Sequence, residues 1–155
     1  MKPIIGFLLM SAILISCEAG TAGDSSKPAV LPITGTWQLV SGTLIEKGDT
    51  VITDYTKNIS FIKIINDTHF AFLKHDLSKG KDSAAVFESG GGSYSLADSL
   101  YTEHLEYCSA REWEGNDFTF TITIKGDTLV QSGIEKVESA GISRLNIEKY
   151  TRVKK

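Results

Sequence analysis

Apolar and polar side chains alternate along much of this chain, and this two-residue period limits the fold more than any other feature. It is clearest in DFTFTITIK, where Phe118, Phe120 and Ile122 alternate with threonines. Alternation of strong β-formers indicates a strand with one buried face. Similar segments predict eight strands, at 35–42, 58–65, 68–75, 84–96, 100–107, 117–124, 127–132 and 144–152.

Tight turns separate these segments. Lys-Gly-Asp-Thr occurs at 47–50 and again at 125–128, which we interpret as the same turn chemistry used twice, and 66–68 predicts a third turn. The three glycines at 90–92 are expected to bend or split the long fourth strand. Only 133–141 has room for a turn or two of helix. Consecutive hairpins predict an all-β fold, a single antiparallel up-and-down β-barrel of about eight to ten strands that leaves no exposed sheet edge.

The first sixteen residues predict an export signal. Lys2 precedes an uncharged apolar run of about 12 residues, whereas a membrane-spanning helix needs about 20. The following LISC resembles the lipobox of bacterial lipoproteins, in which the cysteine thiol carries a diacylglycerol and a second acyl chain on the new amino terminus completes a stable anchor. This predicts a signal peptide at 1–16, lipidation of Cys17 and a location at the bacterial cell envelope. The alternative is a secreted protein with an incidental cysteine.

Residues 17–33 are poor in large apolar side chains and rich in Gly, Ser, Ala and Pro, which predicts a flexible tether. The remaining residues, 34–155, suit one domain, expected to be monomeric. Loss of Lys2 with the signal changes the formal charge from -3 to -4, and the only basic cluster is at 152–155. This balance argues against nucleic acid as a partner.

Only one cysteine remains once Cys17 is assigned to the lipid. Cys108 therefore has no disulfide partner in the mature domain. A buried, unreactive thiol is favoured over a reactive one, because nothing in the neighbouring sequence indicates an electropositive setting.

Gly35-Thr36-Trp37 is a G-x-W motif at the start of the first predicted strand. With THFAF, GGGSYSL, YTEHLEY, GDTLVQSG and KYTRVKK in that order, it resembles the lipocalin-like domain of small exported bacterial proteins over nearly all of 34–153. The resemblance implies a calycin-type barrel in which Trp37 closes one end, Arg152 lies across its ring and Gly35 permits close approach. The disulfide and clear C-terminal helix of classical lipocalins are missing from this sequence.

A barrel of about eight strands can hold one small ligand. In YTEHLEY, Tyr101, Glu103 and Tyr107 share a face. If it points inward, Glu103 is a carboxylate in a mostly apolar cavity, where it would orient a polar ligand end or have a raised pKa. Alternatively, Glu103 forms a structural ion pair or faces outward. Further candidate lining residues are aromatic, with plain core packing as their alternative role: Tyr94, Phe70, Phe72, Phe118 and Phe120.

No metal and no cofactor are expected. His104 and Glu106 share a strand face, but two donors are too few for a closed zinc site. Haem-binding barrels of the nitrobindin kind resemble this chain in G-x-W, but they take their axial histidine from late in the sequence, and none follows His104. Neither G-x-S-x-G, H-E-x-x-H nor a phosphate loop occurs, so the chain is not expected to be an enzyme.

The favoured function is therefore that of a lipid-anchored barrel that binds a small apolar or amphipathic molecule at the cell envelope. The alternative is a surface protein-interaction module with a filled barrel, using the polar loop 76–85 and the segment around Trp113 as contact sites. An enzyme with Glu103 as base is a third possibility. An open cavity would favour the first, and an exposed Trp113 beside a filled barrel would favour the second.

Overall fold

A computed structural model describes residues 31–81, 83 and 85–154. Within these ranges the chain forms nine strands: β1 Gly35–Glu46, β2 Asp49–Asp54, β3 Ile59–Ile65, β4 His69–Asp76, β5 Phe87–Ala97, β6 Leu100–Cys108, β7 Asp117–Lys125, β8 Thr128–Val137 and β9 Ile142–Arg152. Single 3₁₀ turns at Arg111–Trp113 and Glu138–Ala140 interrupt them. Membrane-crossing helices, judged by length and apolarity, are not found in this part of the chain. The predicted signal peptide, Cys17 and tether residues 17–30 lie outside the described residues.

Eight strands close into an antiparallel barrel, and β2 extends the sheet beside β1. From β3 to β9 each strand pairs with the next in sequence, and β9 pairs with β1 to complete the ring. β1 pairs with β3 only over Gly35–Gln38, and its second half pairs with β2 instead. The predicted all-β antiparallel barrel is confirmed. Because β1 changes partner midway, the first residues of β3 have no partner on β1, and the barrel is more open at that end.

Two features differ from the sequence prediction, and a third agrees with it in part. The sequence analysis predicted the turn before β2 but did not predict β2 itself as a strand. β8 continues to Val137, so the predicted helical segment at 133–141 is wrong except for the single 3₁₀ turn at Glu138–Ala140. β5 is not split at the three glycines, but it has an irregularity there, as one of the two predicted outcomes: a register shift lies between Gly91 and Gly92, where β6 contributes an extra residue.

The two Lys-Gly-Asp-Thr segments both form two-residue hairpin turns, but one residue out of phase. In the first, Lys47 and Gly48 are the loop residues between the paired ends Glu46 and Asp49. In the second, the loop lies one residue further along the tetrapeptide, at 126–127. The surrounding strand register therefore decides which residues of the same tetrapeptide make the turn.

Trp37 and Arg152 pack against each other at one end of the barrel, in the arrangement that the resemblance implied. The Trp37 ring has no exposed surface, and the Arg152 guanidinium carbon lies 4.0 Å from its centroid. Arg152 also donates hydrogen bonds to the carbonyls of Thr34 and Pro32, at 2.8 and 2.7 Å. Gly35 has a φ of +143°, which favours glycine, and a Cβ there would lie 2.6 Å from Arg152 Nη1, so the guanidinium would have to move away from its position over Trp37.

The folded unit includes residues before 34. Ile33 is buried, and its carbonyl accepts a hydrogen bond of 2.7 Å from the Trp37 indole nitrogen. Leu31 also packs against the core. The tether prediction placed these residues outside the barrel, whereas they pack against its closed end.

Apolar side chains fill the half of the barrel next to Trp37. The buried apolar side chains of the whole barrel are Ile33, Trp37, Leu39, Ile65, Phe70, Tyr101, Leu105, Phe118, Phe120, Ile122, Leu129, Val137 and Tyr150. Of these, Leu105, Phe118, Phe120 and Tyr150 also line the open half described below, and Val137 lies at the end of β8 away from Trp37. Burying these large side chains provides the main stabilisation of the fold, since each contributes about 1.5 to 3 kcal/mol relative to exposure. The opposite half is not filled in this way.

Candidate functional site

A cavity of about 460 Å³ occupies the half of the barrel away from Trp37 and opens to solvent at that end. About half of its lining is aromatic or apolar, including Phe61, Phe72, Leu105, Cys108, Trp113, Phe118 and Phe120, and the rest is polar or charged. Cavities of this size, with apolar walls and a few polar groups, are typical small-molecule sites. The split of β1 between β3 and β2 helps to leave this end open.

The floor of the cavity contains a buried ion pair. Lys63 on β3 and Glu103 on β6 are 4% and 7% exposed, and Lys63 Nζ lies 2.6 Å from Glu103 Oε1. Lys63 Nζ also donates to Gln131 Oε1 on β8, at 3.1 Å. The inward faces of three strands thus place an ammonium, a carboxylate and an amide together. A charge this deep requires such partners, because an unpaired one would cost several kcal/mol.

The same network continues to β9. Gln131 Nε2 donates to Glu148 Oε2 at 2.7 Å, and the Tyr150 hydroxyl donates to the same oxygen at 2.6 Å. Lys63, Glu103, Gln131, Glu148 and Tyr150 are hereafter called the floor network. Together they line the floor of the cavity where the packed half of the barrel ends.

Burial governs the ionisation of the floor network. Burial raises the pKa of Glu103, and the neighbouring Lys63 ammonium only partly offsets this effect. Burial and the Glu148 carboxylate raise the pKa of Tyr150 well above its ordinary value, so its hydroxyl remains a donor. Tyr101 behaves in the same way, with burial and Glu103 raising its pKa. Its hydroxyl has no hydrogen-bond partner among the described residues.

Two further ion pairs line the cavity nearer its mouth. Arg144 Nε lies 2.8 Å from Glu135 Oε2, and Asn146 Nδ2 donates to Glu135 Oε1 at 2.7 Å. The Arg144 guanidinium also lies 5.1 Å from the centroid of Trp113. At the rim, Lys74 Nζ lies 2.9 Å from Glu88 Oε1. Polar and charged side chains therefore occur at the floor of the cavity, nearer its mouth and at its rim.

The structure brings part of the predicted binding set together. Glu103, Phe72, Phe118 and Phe120 line the cavity. The other predicted aromatic residues lie within the packed half instead. Phe70 and Tyr101 are buried there, with ring centroids 6.5 Å apart. Tyr94 packs against Tyr101, and its hydroxyl donates to the carbonyl of Asn66.

The inward orientation predicted for Tyr107 is wrong. Tyr107 is 68% exposed on the outside of the barrel, although Leu105 two residues earlier is buried. The cause is the extra residue of β6 at the Gly91/Gly92 register shift, which reverses the alternation beyond it. Cys108 consequently lines the cavity in place of Tyr107. Burial raises the pKa of the Cys108 thiol, which lowers its reactivity at neutral pH.

The sequence reading missed Lys63, Gln131 and Glu148 as cavity residues. The alternation along β3 could have identified Lys63 as an inward-facing residue, because it lies on the same strand face as Phe61 and Ile65, which are apolar and point inward. A lone lysine on an apolar strand face predicts a buried partner of opposite charge. That partner, Glu103, lies 40 residues further along the chain, so only the three-dimensional pairing identifies it.

Metal-ligand clusters were not expected, and no group of three or more His, Cys, Asp or Glu side chains comes together in the described part of the chain. His104 Nδ1 instead lies 2.8 Å from Asp117 Oδ1, and Glu106 accepts a hydrogen bond from Ser93. Both interactions join neighbouring strands.

The fold and the site define a class of protein, an antiparallel eight-stranded β-barrel with one packed half and one hollow half. The sequence matches no protein-family model and no curated protein. Among solved structures, it is similar to an uncharacterized protein from Bacteroides eggerthii DSM 20697, with 13% sequence identity and a TM-score of 0.46. The match covers 77% of this chain and 98% of that one.

Proposed function

We propose that this protein is a lipid-anchored envelope lipoprotein of the lipocalin-like kind, whose barrel binds a small apolar or amphipathic molecule. One observation carries the proposal, the open cavity of about 460 Å³ with aromatic walls and a polar floor. A ligand with an apolar body would pack against rings such as Phe72 and Phe118. Its polar end would meet the floor network or the Glu135–Arg144 pair. Binding requires no covalent chemistry at any of these groups.

The filled-barrel alternative is less well supported. An exposed Trp113 beside a filled barrel would have favoured it, and an open cavity counts against it. Trp113 is instead half-buried, lies 5.7 Å from Phe118 between ring centroids, and forms part of the cavity wall. These observations favour a binding cavity over a surface interaction module. The enzyme alternative rested on Glu103 as base, and its carboxylate is held by Lys63.

Bulk introduced at Cys108 should block the cavity. Cys108 and Tyr107 are neighbours on β6 with opposite orientations, so they provide a matched pair of positions. We expect Cys108→Phe to weaken binding of the neutral probe 3-phenylpropan-1-ol by at least about tenfold, because the added ring occupies the space of the ligand. Isothermal titration of the full-length protein in one detergent buffer, with protein-free micelles as blank, measures this.

The control is Tyr107→Trp, which adds bulk outside the barrel and should leave the affinity unchanged. Equal affinities for all three proteins would place the probe elsewhere than in the cavity. No binding by the unaltered protein would count against the proposed function itself.

The membrane anchor has a separate test. Replacing Cys17 by Ser removes the thiol that would carry diacylglycerol, so we expect the protein to move from the membrane fraction to the aqueous fraction of the producing cells. Fractionation followed by mass spectrometry of the amino-terminal peptide measures both location and acylation. An unacylated Cys17 in membrane-bound protein would contradict the anchor.

A further inference from the structure

The cavity contains one more carboxylate than cations. Its lining includes four glutamates, Glu88, Glu103, Glu135 and Glu148, and three cations, Lys63, Lys74 and Arg144. Three of the glutamates each have a cation within 3 Å, as described above. Among the described residues, Glu148 has no lysine or arginine within salt-bridge distance; its hydrogen-bond donors are the neutral groups of Gln131 and Tyr150.

The surroundings of Glu148 are aromatic. Tyr150 donates to it, and the Tyr55 ring lies over Gly42, the residue that faces Glu148 across the β1–β9 pair. A Cβ on Gly42 would lie 3.1 Å from Tyr55 Cε2, so the glycine leaves room for this ring. Burial raises the pKa of Tyr55, and the negative charge of Glu148 is the next largest cause.

Aromatic faces carry negative electrostatic potential and attract cations. A second ring, that of Phe61, lies 5.7 Å from Tyr55 in an edge-on arrangement, and both line the cavity. Glu148 has no counter-cation and lies beside such rings, so the site attracts an ammonium group rather than an anion. A carboxylate ligand would instead add a fifth negative charge to a cavity that already has an excess of one.

We propose that the cavity binds a cationic amphiphile, a molecule with a protonated amine at one end and an apolar or aromatic body at the other, whose ammonium group pairs with Glu148. This inference rests on the proposed ligand-binding function and narrows it to a class of ligand. The body lies against the apolar wall formed by side chains such as Phe72 and Phe118. The ammonium supplies the cation that Glu148 lacks, and three of the four glutamates keep their own partners.

Three water-soluble probes of similar size and different charge test this. They are 2-phenylethylammonium, 3-phenylpropan-1-ol and 3-phenylpropionate, titrated into the full-length protein in one detergent buffer with protein-free micelles as blank. We expect the amine to bind tightest and the carboxylate weakest. In Glu148→Gln, whose amide oxygen still accepts hydrogen bonds, the affinity for the amine should fall roughly ten- to a hundredfold, whereas the affinity for the alcohol should fall less than about threefold.

The matched control is Glu106→Gln, which changes the net charge equally but lies on the outer face of β6, bonded to Ser93. It should leave the amine affinity unchanged. Arg144→Gln provides a second variant, because it frees Glu135 and should raise the amine affinity. Far-UV circular dichroism during thermal unfolding verifies that each variant is folded.

The outcomes separate the two proposals. Equal binding of the three probes, or an amine preference that survives Glu148→Gln, would overturn the cationic ligand and leave the cavity as a binding site. If Glu148→Gln does not fold, the order of the three probes on the unaltered protein still decides, since tightest binding of the carboxylate contradicts the inference. No binding of any probe would refute the binding function as well.

Discussion

Replacing Trp37 by Ala should lower the free energy of unfolding by about 3 to 5 kcal/mol, the range for removing a large buried aromatic side chain. The ring has no exposed surface and closes the packed half of the barrel. Its loss also removes the indole hydrogen bond to the Ile33 carbonyl and the surface on which Arg152 lies. Because domains are commonly stable by only about 5 to 15 kcal/mol, such a loss would remove a large fraction of the stability of the fold.

Urea unfolding followed by far-UV circular dichroism measures this change, because the signal comes mainly from the backbone and the unfolding midpoint can be read without tryptophan fluorescence. Trp113→Ala is the control. Trp113 is half-buried at the other end of the barrel, so we expect a smaller loss of about 1 to 2 kcal/mol. Comparable losses in the two variants, or a near-neutral Trp37→Ala, would contradict the role of Trp37 as the closure of the barrel.

Replacing Lys63 by Met should also destabilise the fold by about 3 to 5 kcal/mol, because it leaves Glu103 buried without its cation. The variant keeps the length and the apolar stem of the side chain, so little packing is lost. The ammonium, its 2.6 Å contact with Glu103 and its donation to Gln131 all disappear. We expect Lys63→Met combined with Glu103→Leu to recover most of the loss, since an apolar pair can replace a buried ion pair.

The pH dependence of Lys63→Met identifies the unpaired carboxyl as the cause. The pKa of Glu103 is raised by burial in the folded protein, and removal of Lys63 raises it further. A group with a raised folded-state pKa binds its proton more tightly when folded, so stability falls as the pH rises from the unfolded pKa to the folded one. The deficit of Lys63→Met should therefore be largest at neutral pH and shrink on acidification, as Glu103 becomes neutral.

Urea unfolding of the single and double variants over a series of pH values measures both effects. Glu106→Gln, on the outer face, should show neither. A single variant as stable as the double variant, or a deficit independent of pH, would show that the ion pair does not control the stability of the cavity floor.

The barrel was largely predictable because local patterns decide it. β7 follows the alternation of Phe118, Phe120 and Ile122 almost to its bounds. The packing of Arg152 on Trp37 was implied by the resemblance to lipocalin-like domains rather than by a local pattern. β2 was missed because it lies beside the barrel with most of its residues exposed, including the apolar Val51 and Ile52, so no buried face imposes an alternation.

The site was less predictable because it depends on register and on distant pairs. The orientation of Tyr107 was reversed by one extra residue in β6, which strand parity alone cannot reveal. The inward position of Glu103 followed from the same parity before the register shift. The pairing of Glu103 with Lys63 depends on strands that are brought together only when the barrel closes, and so does the position of Glu148 away from any lysine or arginine partner.

A crystal structure of the protein grown with 3-phenylpropan-1-ol tests the central claim most directly, because a neutral probe depends on the cavity and not on the charge of Glu148. We predict electron density for the probe between Phe72 and Phe118, above an intact Lys63–Glu103 ion pair. A barrel whose open half is filled by its own side chains, with no probe inside, would contradict the proposed binding function.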